Sequence, residues 1–281
     1  MNETSRLLAL LSAYLNANPR AISAQDVASL AQDCRISPED AFLALLGAYL
    51  GLDPAEAQDA SLARSWLPRM VRRLEPELIT RDPYVLALRT VEAQCGAFRL
   101  TREHYEPMEL FVRDDFQEVD GRVYPLLGYF DQRVPYPAVM ENGRIWMTVT
   151  PNEIHTILPA AESSRGKVLA YGLGLGYYAF HALRNPEVAS VTVVERSREV
   201  IELFERHLLP GFPRREALRI ICADAFAYAK NTAPQEHYDT VFTDLWHDAG
   251  DGLPLYRRMK ALETPGPRYL YWIEKTLRYY E

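Results

Sequence analysis

The chain has 281 residues, of which 48% are hydrophobic, and its 38 acidic residues against 31 lysines and arginines give a net charge of −7. This length allows one large domain or two smaller ones, and the apolar content is enough for a core, which excludes a disordered chain. The acidic balance argues against a surface that follows nucleic-acid phosphates.

The cysteines and the N-terminus indicate the compartment. Three cysteines, far apart in the sequence, form neither a disulfide framework nor a zinc motif, which fits a reducing environment. The N-terminal apolar stretch is too short to cross a membrane and has no basic leader with a cleavage site. We therefore expect a cytoplasmic protein with neither a nucleic-acid nor a membrane partner.

Residues 1–105 are predicted to form a helical N-terminal domain. Ser23 with Asp26 is a capping-box pattern, and Ser37-Pro38 places a cap before a first-turn proline. Asp53-Pro54 and Asp82-Pro83 repeat this kind of helix start. The helices around Ser37 resemble a helix-turn-helix, but residues 23–59 carry seven acids against one arginine, which would repel DNA. A structural or acceptor-shaping domain is the better interpretation.

Residues 106–155 are predicted to form a small antiparallel element. Asp120-Gly121 and Asn142-Gly143 are dipeptides that suit type I′ hairpin turns, and aromatic and β-branched residues surround them. They indicate two hairpins, which we expect to share one small sheet over the segment that follows. The predicted strands are residues 109–119 with 122–130, and 138–141 with 144–149.

Residues 156–281 alternate strands and helices, which predicts an α/β domain with a Rossmann-like parallel sheet, strand order 3-2-1-4-5 and helices on both faces. Only one strand and a short helix fit after Gly266, so no closing antiparallel hairpin is expected. The predicted strands are residues 167–171, 188–195, 218–223, 238–245 and 267–273.

A glycine turn follows the first of these strands. The sequence KVLAYGLGLG ends a buried strand in Gly172, Gly174 and Gly176 and leads into a helix. Glycines let the backbone approach a ligand, and helix N–H groups point towards it. Glu195, at the end of the second strand, can accept hydrogen bonds from both ribose hydroxyls. The segment is therefore interpreted as a nucleotide or nucleoside site.

The third and fourth strands help to choose the ligand. Gly174 and Gly176, followed by Ala179, also fit a dinucleotide fingerprint, although two tyrosines would crowd the pyrophosphate. The third strand ends in Asp224-Ala225-Phe226, which can accept an adenine amino group and contact its ring. The fourth places Asp244 beside the glycine turn, where ligands of open parallel sheets lie.

With these motifs in register (VLAYGLGLG, VTVVE, CADAF and YDTVFTDL), residues 142–260 resemble the class I S-adenosylmethionine-dependent methyltransferases, closest to the spermidine synthase-like branch. The resemblance implies S-adenosylmethionine as cofactor. In it, the glycines pass under the methionine part and ribose, Glu195 binds the ribose, Asp224 and Ala225 hold the adenine, and Asp244 faces the sulfonium or the acceptor.

The transferred group is left open between several possibilities. Leu173 and Leu175 stand where spermidine synthases carry an acid in the glycine turn, which favours methyl transfer to a small-molecule acceptor. Aminopropyl transfer, as in spermidine synthases, is the alternative. Nicotianamine synthase-like aminocarboxypropyl transfer shares the layout with a helical N-terminal domain, and a non-catalytic nucleoside-binding module is a further alternative.

Candidate catalytic residues follow the fourth strand. A sulfonium donor has a neutral leaving group, so the protein must align the acceptor and remove its proton. Asp244, His247 and Asp248 are the candidate bases, and Trp246 is a candidate for stacking on a cation. In the non-catalytic alternative, His247 is a surface histidine, Asp248 a helix cap and Trp246 a core residue.

No metal site is predicted, because the spacing of these acids matches no standard motif. The aromatic C-terminal segment is either a docked strand and helix or a homodimer contact.

Overall fold

The computed structural model describes residues 3–88, 92–119 and 121–281. The helices are α1 Glu3–Ala17, α2 Ala24–Cys34, α3 Pro38–Tyr49, α4 Ala57–Ser61, α5 Leu67–Met70, α6 Glu77–Thr80, α7 Pro83–Ala87, α8 Pro151–Ser163, α9 Tyr177–Arg184, α10 Arg198–Leu203, α11 Ala225–Asn231, α12 Ala249–Lys260 and α13 Glu274–Tyr279. The strands are β1 Val71–Arg73, β2 Ala93–Cys95, β3 Phe98–Tyr105, β4 Phe111–Val119, β5 Arg122–Tyr129, β6 Val134–Glu141, β7 Arg144–Thr148, β8 Gly166–Tyr171, β9 Val188–Glu195, β10 Leu218–Cys222, β11 Thr240–Thr243 and β12 Arg268–Tyr271.

Two compact units interleave along the chain, whereas the sequence predicted three consecutive segments. Unit 1 comprises Met1–Thr80 and His104–Pro135, and unit 2 comprises Arg81–Glu103 and Tyr136–Glu281. Both units therefore draw on the range 1–105 that was predicted as one domain.

Unit 1 packs helices against a three-stranded sheet of order β1-β5-β4. Ser23 and Asp26 form the predicted capping box of α2, and Ser37 caps α3 with Pro38 in its first turn. The core joins helices to strands through ring stacking: Phe42 lies 3.8 Å from Tyr129 between ring centres. The apolar faces of the helices are thus buried within this unit.

The prediction that 1–105 is all helical is wrong, because β1, β2 and β3 lie within it. β1 has only three residues and is held by a parallel partner, β5, more than 50 residues later. A short strand with a distant partner leaves no local period to recognise. The helix predicted to start at Asp53-Pro54 begins only at Ala57, since Asp53 instead forms a turn by accepting a hydrogen bond from the Ala55 N–H at 2.9 Å.

Both predicted hairpins are present, but not in one sheet. The β4–β5 hairpin belongs to unit 1, and its turn residue Asp120 lies outside the described residues. The β6–β7 hairpin turns at Asn142 and Gly143, both with positive φ, and joins a second sheet of order β2-β3-β6-β7 in unit 2. A single covering sheet was therefore wrong: each hairpin finds a different third strand, and such pairing is not local in sequence.

The larger sheet of unit 2 has five parallel strands in the order β10-β9-β8-β11-β12. Helices cover both of its faces. Tyr178 of α9 stacks 3.9 Å from Phe242, while Tyr228 of α11 meets the ring of Tyr171, whose partner in register is Thr243. Because Phe242 and Thr243 are consecutive on β11, α9 and α11 lie on opposite faces.

The end of the chain adds one strand and one helix to this unit. β12 pairs with β11, and Trp272, directly after it, donates its backbone N–H to the Thr243 carbonyl at 3.0 Å. No further strand joins the five-stranded sheet in the part of the chain that the structure describes. Among helices of the described residues, none is long and apolar enough to cross a membrane.

Candidate functional site

The glycine turn needs each of its three glycines. Gly172, Gly174 and Gly176 all have positive φ, of 95°, 50° and 76°. A Cβ on Gly172 would overlap the Asp244 carbonyl oxygen, and one on Gly174 would overlap Sδ of Met147. A Cβ on Gly176 would meet the Phe204 ring, so this third glycine serves packing beneath α9. Close approach of other groups, in addition to the turn itself, therefore selects glycine here.

A cavity of about 230 Å³ opens at the glycine turn, at the carboxyl ends of the parallel strands. We call it the glycine-turn cavity. Of the residues predicted to bind the cofactor, the structure brings six to its wall and leaves Gly176 outside. The six are Gly172, Gly174, Glu195, Asp224, Ala225 and Asp244. Their convergence follows from the strand order, since ligands of such sheets lie outside these strand ends.

Glu195 connects the ends of two neighbouring strands. Its Oε2 accepts a hydrogen bond from the Leu173 N–H at 3.1 Å, and its Oε1 accepts one from the Ser197 N–H at 2.8 Å. A carboxylate oxygen can accept more than one hydrogen bond, so Glu195 can still receive hydroxyl donors from the cavity. The same contacts fix the conformation of the glycine turn.

Asp224 and Phe226 form the far wall of this cavity. Asp224 caps α11 by accepting the Ala227 N–H on Oδ1 at 2.8 Å. Phe226 lines the cavity, and the guanidinium of Arg258 lies 3.7 Å from its ring centre. The cation holds the ring in place through its π face. A carboxylate and a fixed aromatic ring thus stand where the sequence predicted an adenine site.

A second cavity of about 220 Å³ adjoins the first. We call it the tryptophan cavity, because Trp146, Trp246 and Trp272 line it. Trp146, Met147, Asp244, Trp246 and His247 belong to the walls of both cavities. Thr148 of β7 and Glu153 of α8 complete the second one. Asp244 therefore stands at the junction of two neighbouring spaces.

Two half-buried carboxyl groups, those of Asp244 and Glu153, face the tryptophan cavity. Burial raises the pKa of Asp244 to about 8, and the neighbouring charge of Glu153 adds to the rise. Burial also raises the pKa of Glu153 to about 7, although hydrogen bonds partly oppose it. These come from the Thr148 hydroxyl at 2.8 Å and the Thr150 N–H at 3.1 Å. Desolvated, mutually repelling carboxylates favour a cationic ligand between them.

The loop after Asp244 shows which candidate bases reach the cavities. His247 lines both, and its Nδ1 lies 2.8 Å from Oδ2 of Asp251. Its ring contacts Trp146 edge to face, at 4.6 Å between centres. Asp248 instead caps α12, accepting the Gly250 N–H at 2.6 Å, and it lines neither cavity. The structure thus brings Asp244 and His247 together, but not Asp248.

Trp246 combines packing with exposure to the cavities. It is 5% exposed, packs against Gly252, and its Nε1 has no hydrogen-bond partner among the described residues.

No group of three or more His, Cys, Asp or Glu residues within the described ranges has the arrangement of a metal site.

Sequence reasoning did not identify Thr148, Glu153 and Trp272 as site residues. The signal for Glu153 was present: Thr150 and Glu153 form a capping box at the start of α8. That pattern predicts a helix start and says nothing about a cavity. Trp272 reaches the site from β12, and its indole Nε1 donates to Thr156 of α8 at 2.8 Å. Only the folded sheet brings these segments together.

Comparison with known proteins supports the resemblance predicted from the motifs. No protein-family model matches the chain. Polyamine aminopropyltransferase 2 of Hyperthermus butylicus is 31% identical over 123 residues, which are 40% of this chain and 39% of that protein. The chain thus spans about two fifths of the length of this curated relative. The likeness confirms the predicted resemblance to the spermidine synthase-like branch of the class I superfamily.

Two solved structures show partial likeness. Precorrin 8w decarboxylase of Methanobacterium thermoautotrophicum has a TM-score of 0.30 and 20% identity, over 41% of this chain and 58% of that one. A spermidine synthase in complex with a transition-state analogue has a TM-score of 0.30 and 19% identity, over 41% and 43%.

Proposed function

We propose that this protein transfers an aminopropyl group from decarboxylated S-adenosylmethionine to an amine acceptor. The observation that carries the proposal is the tryptophan cavity, where Asp244 and Glu153 face a space walled by three tryptophans, next to the glycine-turn cavity. Methyl transfer, which the sequence favoured, becomes the second candidate. The aminopropyltransferase likeness of 31% identity supports the same order.

The charge of the tryptophan cavity favours an ammonium acceptor. Its wall contains two carboxyl groups, and His247 is the one residue of the wall that can become cationic. A bound ammonium would offset the desolvation and mutual repulsion that raise the pKa of both carboxyls. Indole faces attract cations as well, by about 0.5–2 kcal/mol each. An amine thus finds both kinds of partner that it needs.

The argument for methyl transfer from Leu173 and Leu175 loses its basis. Both leucines are buried, 4% and 1% exposed, and neither lines the glycine-turn or the tryptophan cavity. A residue that points into the core says nothing about the charge that a ligand meets. The acids come instead from β11 and α8, outside the glycine turn.

The glycine turn has few free N–H groups that could bind the carboxylate of S-adenosylmethionine. The N–H of Leu173 is bound to Glu195, that of Leu175 to Sδ of Met147, and that of Gly176 to the Leu173 carbonyl. A carboxylate needs such donors when it leaves water. A decarboxylated donor has no such requirement, which supports aminopropyl over aminocarboxypropyl transfer.

In the proposed reaction, the acceptor nitrogen attacks the aminopropyl carbon bound to sulfur. The N–C bond forms, the C–S bond breaks, and its electron pair leaves with the neutral thioether, methylthioadenosine. The acceptor must give up one proton from its ammonium before the attack, because only the neutral amine has the lone pair that forms the N–C bond. Asp244, which faces both cavities, accepts that proton and passes it to solvent. The walls of the two cavities hold nucleophile and carbon in line.

The test is an assay of the released nucleoside. Decarboxylated S-adenosylmethionine with linear diamines should give methylthioadenosine and an N-aminopropyl product. Release of S-adenosylhomocysteine from S-adenosylmethionine would show methyl transfer instead, and release of methylthioadenosine from that donor would show aminocarboxypropyl transfer. Binding without any released nucleoside would leave a non-catalytic module. Each of these three results contradicts the proposal.

Donor binding is tested separately by calorimetry with methylthioadenosine. Glu195→Ala and Asp224→Ala should each weaken binding about tenfold, because each removes one polar partner. Glu187→Ala is the matched control, since Glu187 is an exposed acid just before the opposite end of β9. Equal affinity in all variants would place the nucleoside elsewhere.

A further inference from the structure

A third cavity lies on one face of the five-stranded sheet, along strands β8, β11 and β12. Its volume is about 330 Å³, and we call it the sheet-face cavity. Part of its floor is a row formed by the last residues of three strands: Tyr171 pairs in register with Thr243, and Thr243 with Tyr271. Neighbouring residues in a parallel sheet point to the same face. Ala233 and Met259 belong to the segments that cover it.

One buried hydroxyl group of the floor, that of Thr243, is unpartnered among the described residues. Tyr171 is 2% exposed and Thr243 1% exposed, and the Thr243 Oγ1 has no hydrogen-bond partner among the described residues. Buried hydroxyls are normally paired, and leaving one unpaired costs about 1–3 kcal/mol. Both side chains line the cavity, so a ligand there can supply the partner that the Thr243 hydroxyl lacks.

The charges around this cavity are already compensated. Glu236, the carboxylate in its wall, accepts a hydrogen bond from Tyr238 and lies 3.7 Å from Arg219. Glu263, which accepts the Tyr271 hydroxyl at 2.8 Å, is paired with Lys260 at 2.9 Å. A cationic ligand would therefore lack a free counter-charge among these carboxylates, and His237, the histidine of the lining, is exposed to solvent. This favours a neutral ligand.

The remaining walls favour a flat ligand with an apolar surface. Tyrosine rings from β8 and β12 face prolines of the connecting segments, Pro234, Pro265 and Pro267. Tyrosine rings and proline rings pack well on flat heterocycles, and hydroxyl groups can orient such a ligand through hydrogen bonds. We propose that the sheet-face cavity binds a neutral heteroaromatic molecule of nucleoside size. The site is argued from its own lining and does not depend on which group the enzyme transfers.

Two residues of this floor are sequence neighbours of residues that line the glycine-turn cavity. Tyr171 immediately precedes Gly172, and Thr243 immediately precedes Asp244. The Asp244 N–H also donates to the Tyr171 carbonyl at 3.0 Å. Single peptide units therefore join the floor of the sheet-face cavity to residues of the glycine-turn cavity.

The test uses adenosine, with adenosine 5′-monophosphate as the charged control, in calorimetry. Wild type should bind two adenosines, and Glu195→Ala should weaken binding at the glycine-turn cavity about tenfold while leaving binding at the sheet-face cavity unchanged. In the Glu195→Ala background, Ala233→Trp should fill the cavity and abolish this binding, while Tyr171→Phe, which removes one hydroxyl, should weaken it about fivefold. The monophosphate should bind there at least tenfold more weakly.

Photolabelling with 8-azidoadenosine supplies an independent location. In the Glu195→Ala protein, labelled peptides should come from residues 229–241 and 259–271, which line the sheet-face cavity. Loss of all adenosine binding in Glu195→Ala, or labels confined to residues around Asp224, would overturn the proposal. Thermal unfolding of each variant shows whether it is folded before it is titrated.

Discussion

The glycine-turn cavity and the tryptophan cavity share Asp244 but are built in different ways. The first is made by the ends of consecutive parallel strands, with backbone close to the ligand space at Gly172 and Gly174. The second is made by side chains from β7, α8 and the residue after β12. A backbone-built wall tolerates little change in shape, whereas a side-chain wall can change in charge and size. We infer that the first defines the donor and the second the acceptor.

Asp244→Asn tests the junction of the two cavities and should have the largest effect. The amide keeps the shape but cannot take a proton from the acceptor, so the turnover rate should fall about a thousandfold. The measurement is methylthioadenosine release at saturating donor and amine. The dissociation constant of methylthioadenosine should change less than threefold, because nucleoside binding rests on Glu195 and Asp224. A fall of less than tenfold in the rate would mean that the proton leaves by another route.

The stabilities of the Gly172→Ala and Gly174→Ala variants, compared with each other, test the backbone-built cavity alone. At Gly172, φ is 95° and the new Cβ would overlap the Asp244 carbonyl oxygen, which is backbone and cannot step aside. The free energy of unfolding should fall by about 3 kcal/mol. At Gly174 the obstacle is the flexible end of Met147, so a loss of about 1–2 kcal/mol is expected. Denaturant unfolding measures both.

A double variant separates the two causes at Gly174. Met147→Ala combined with Gly174→Ala should recover part of the loss, because it removes the overlapping sulfur but not the strain of positive φ. Met147→Ala combined with Gly172→Ala should recover nothing. Equal losses for the two glycine variants would show that backbone conformation, and not close approach, decides both positions.

Much of the backbone-built cavity could be predicted, because each of its parts is local. The strand predicted at 188–195 is Val188–Glu195. Asp244 directly follows β11, and Asp224 follows β10 after one intervening residue. Both acids therefore lie at the carboxyl ends of parallel strands, where ligands of such sheets bind. Hydrophobic runs with acids at their ends are visible without knowledge of distant partners. The five strands of this sheet were accordingly located to within a few residues.

The tryptophan cavity could not be predicted, because its members are joined only by tertiary structure. Glu153 carries a capping-box signal that any helix start would show, and Trp272 looks like part of an aromatic tail. The same limit explains β1, whose partner β5 is distant in sequence. Leu173 and Leu175 gave a further false lead, because side-chain direction in a glycine turn depends on φ values that the sequence does not reveal.

Glu153→Gln tests the side-chain-built cavity alone and should have a moderate effect. Glutamine keeps the capping-box oxygen and the size of the side chain but removes the charge. The KM for the amine should rise about tenfold, since one charged hydrogen-bond partner is lost, while the dissociation constant of methylthioadenosine stays within twofold. Steady-state kinetics with varied amine measures the first, and calorimetry the second. Glu162→Gln, at an exposed acid of the same helix, is the matched control.

The pH dependence of kcat/KM distinguishes a charged partner from a structural cap at Glu153. In the proposed reaction Asp244 is the base, so in wild type kcat/KM should rise with pH through its pKa of about 8. The negative charge of Glu153 contributes to that raised pKa, so Glu153→Gln should lower it and move the rise to lower pH. Burial is the larger cause and persists, so the midpoint should stay above the ordinary range of an aspartate. A structural cap predicts an unmoved midpoint and an unchanged KM, and that pair of results would remove Glu153 from the acceptor site.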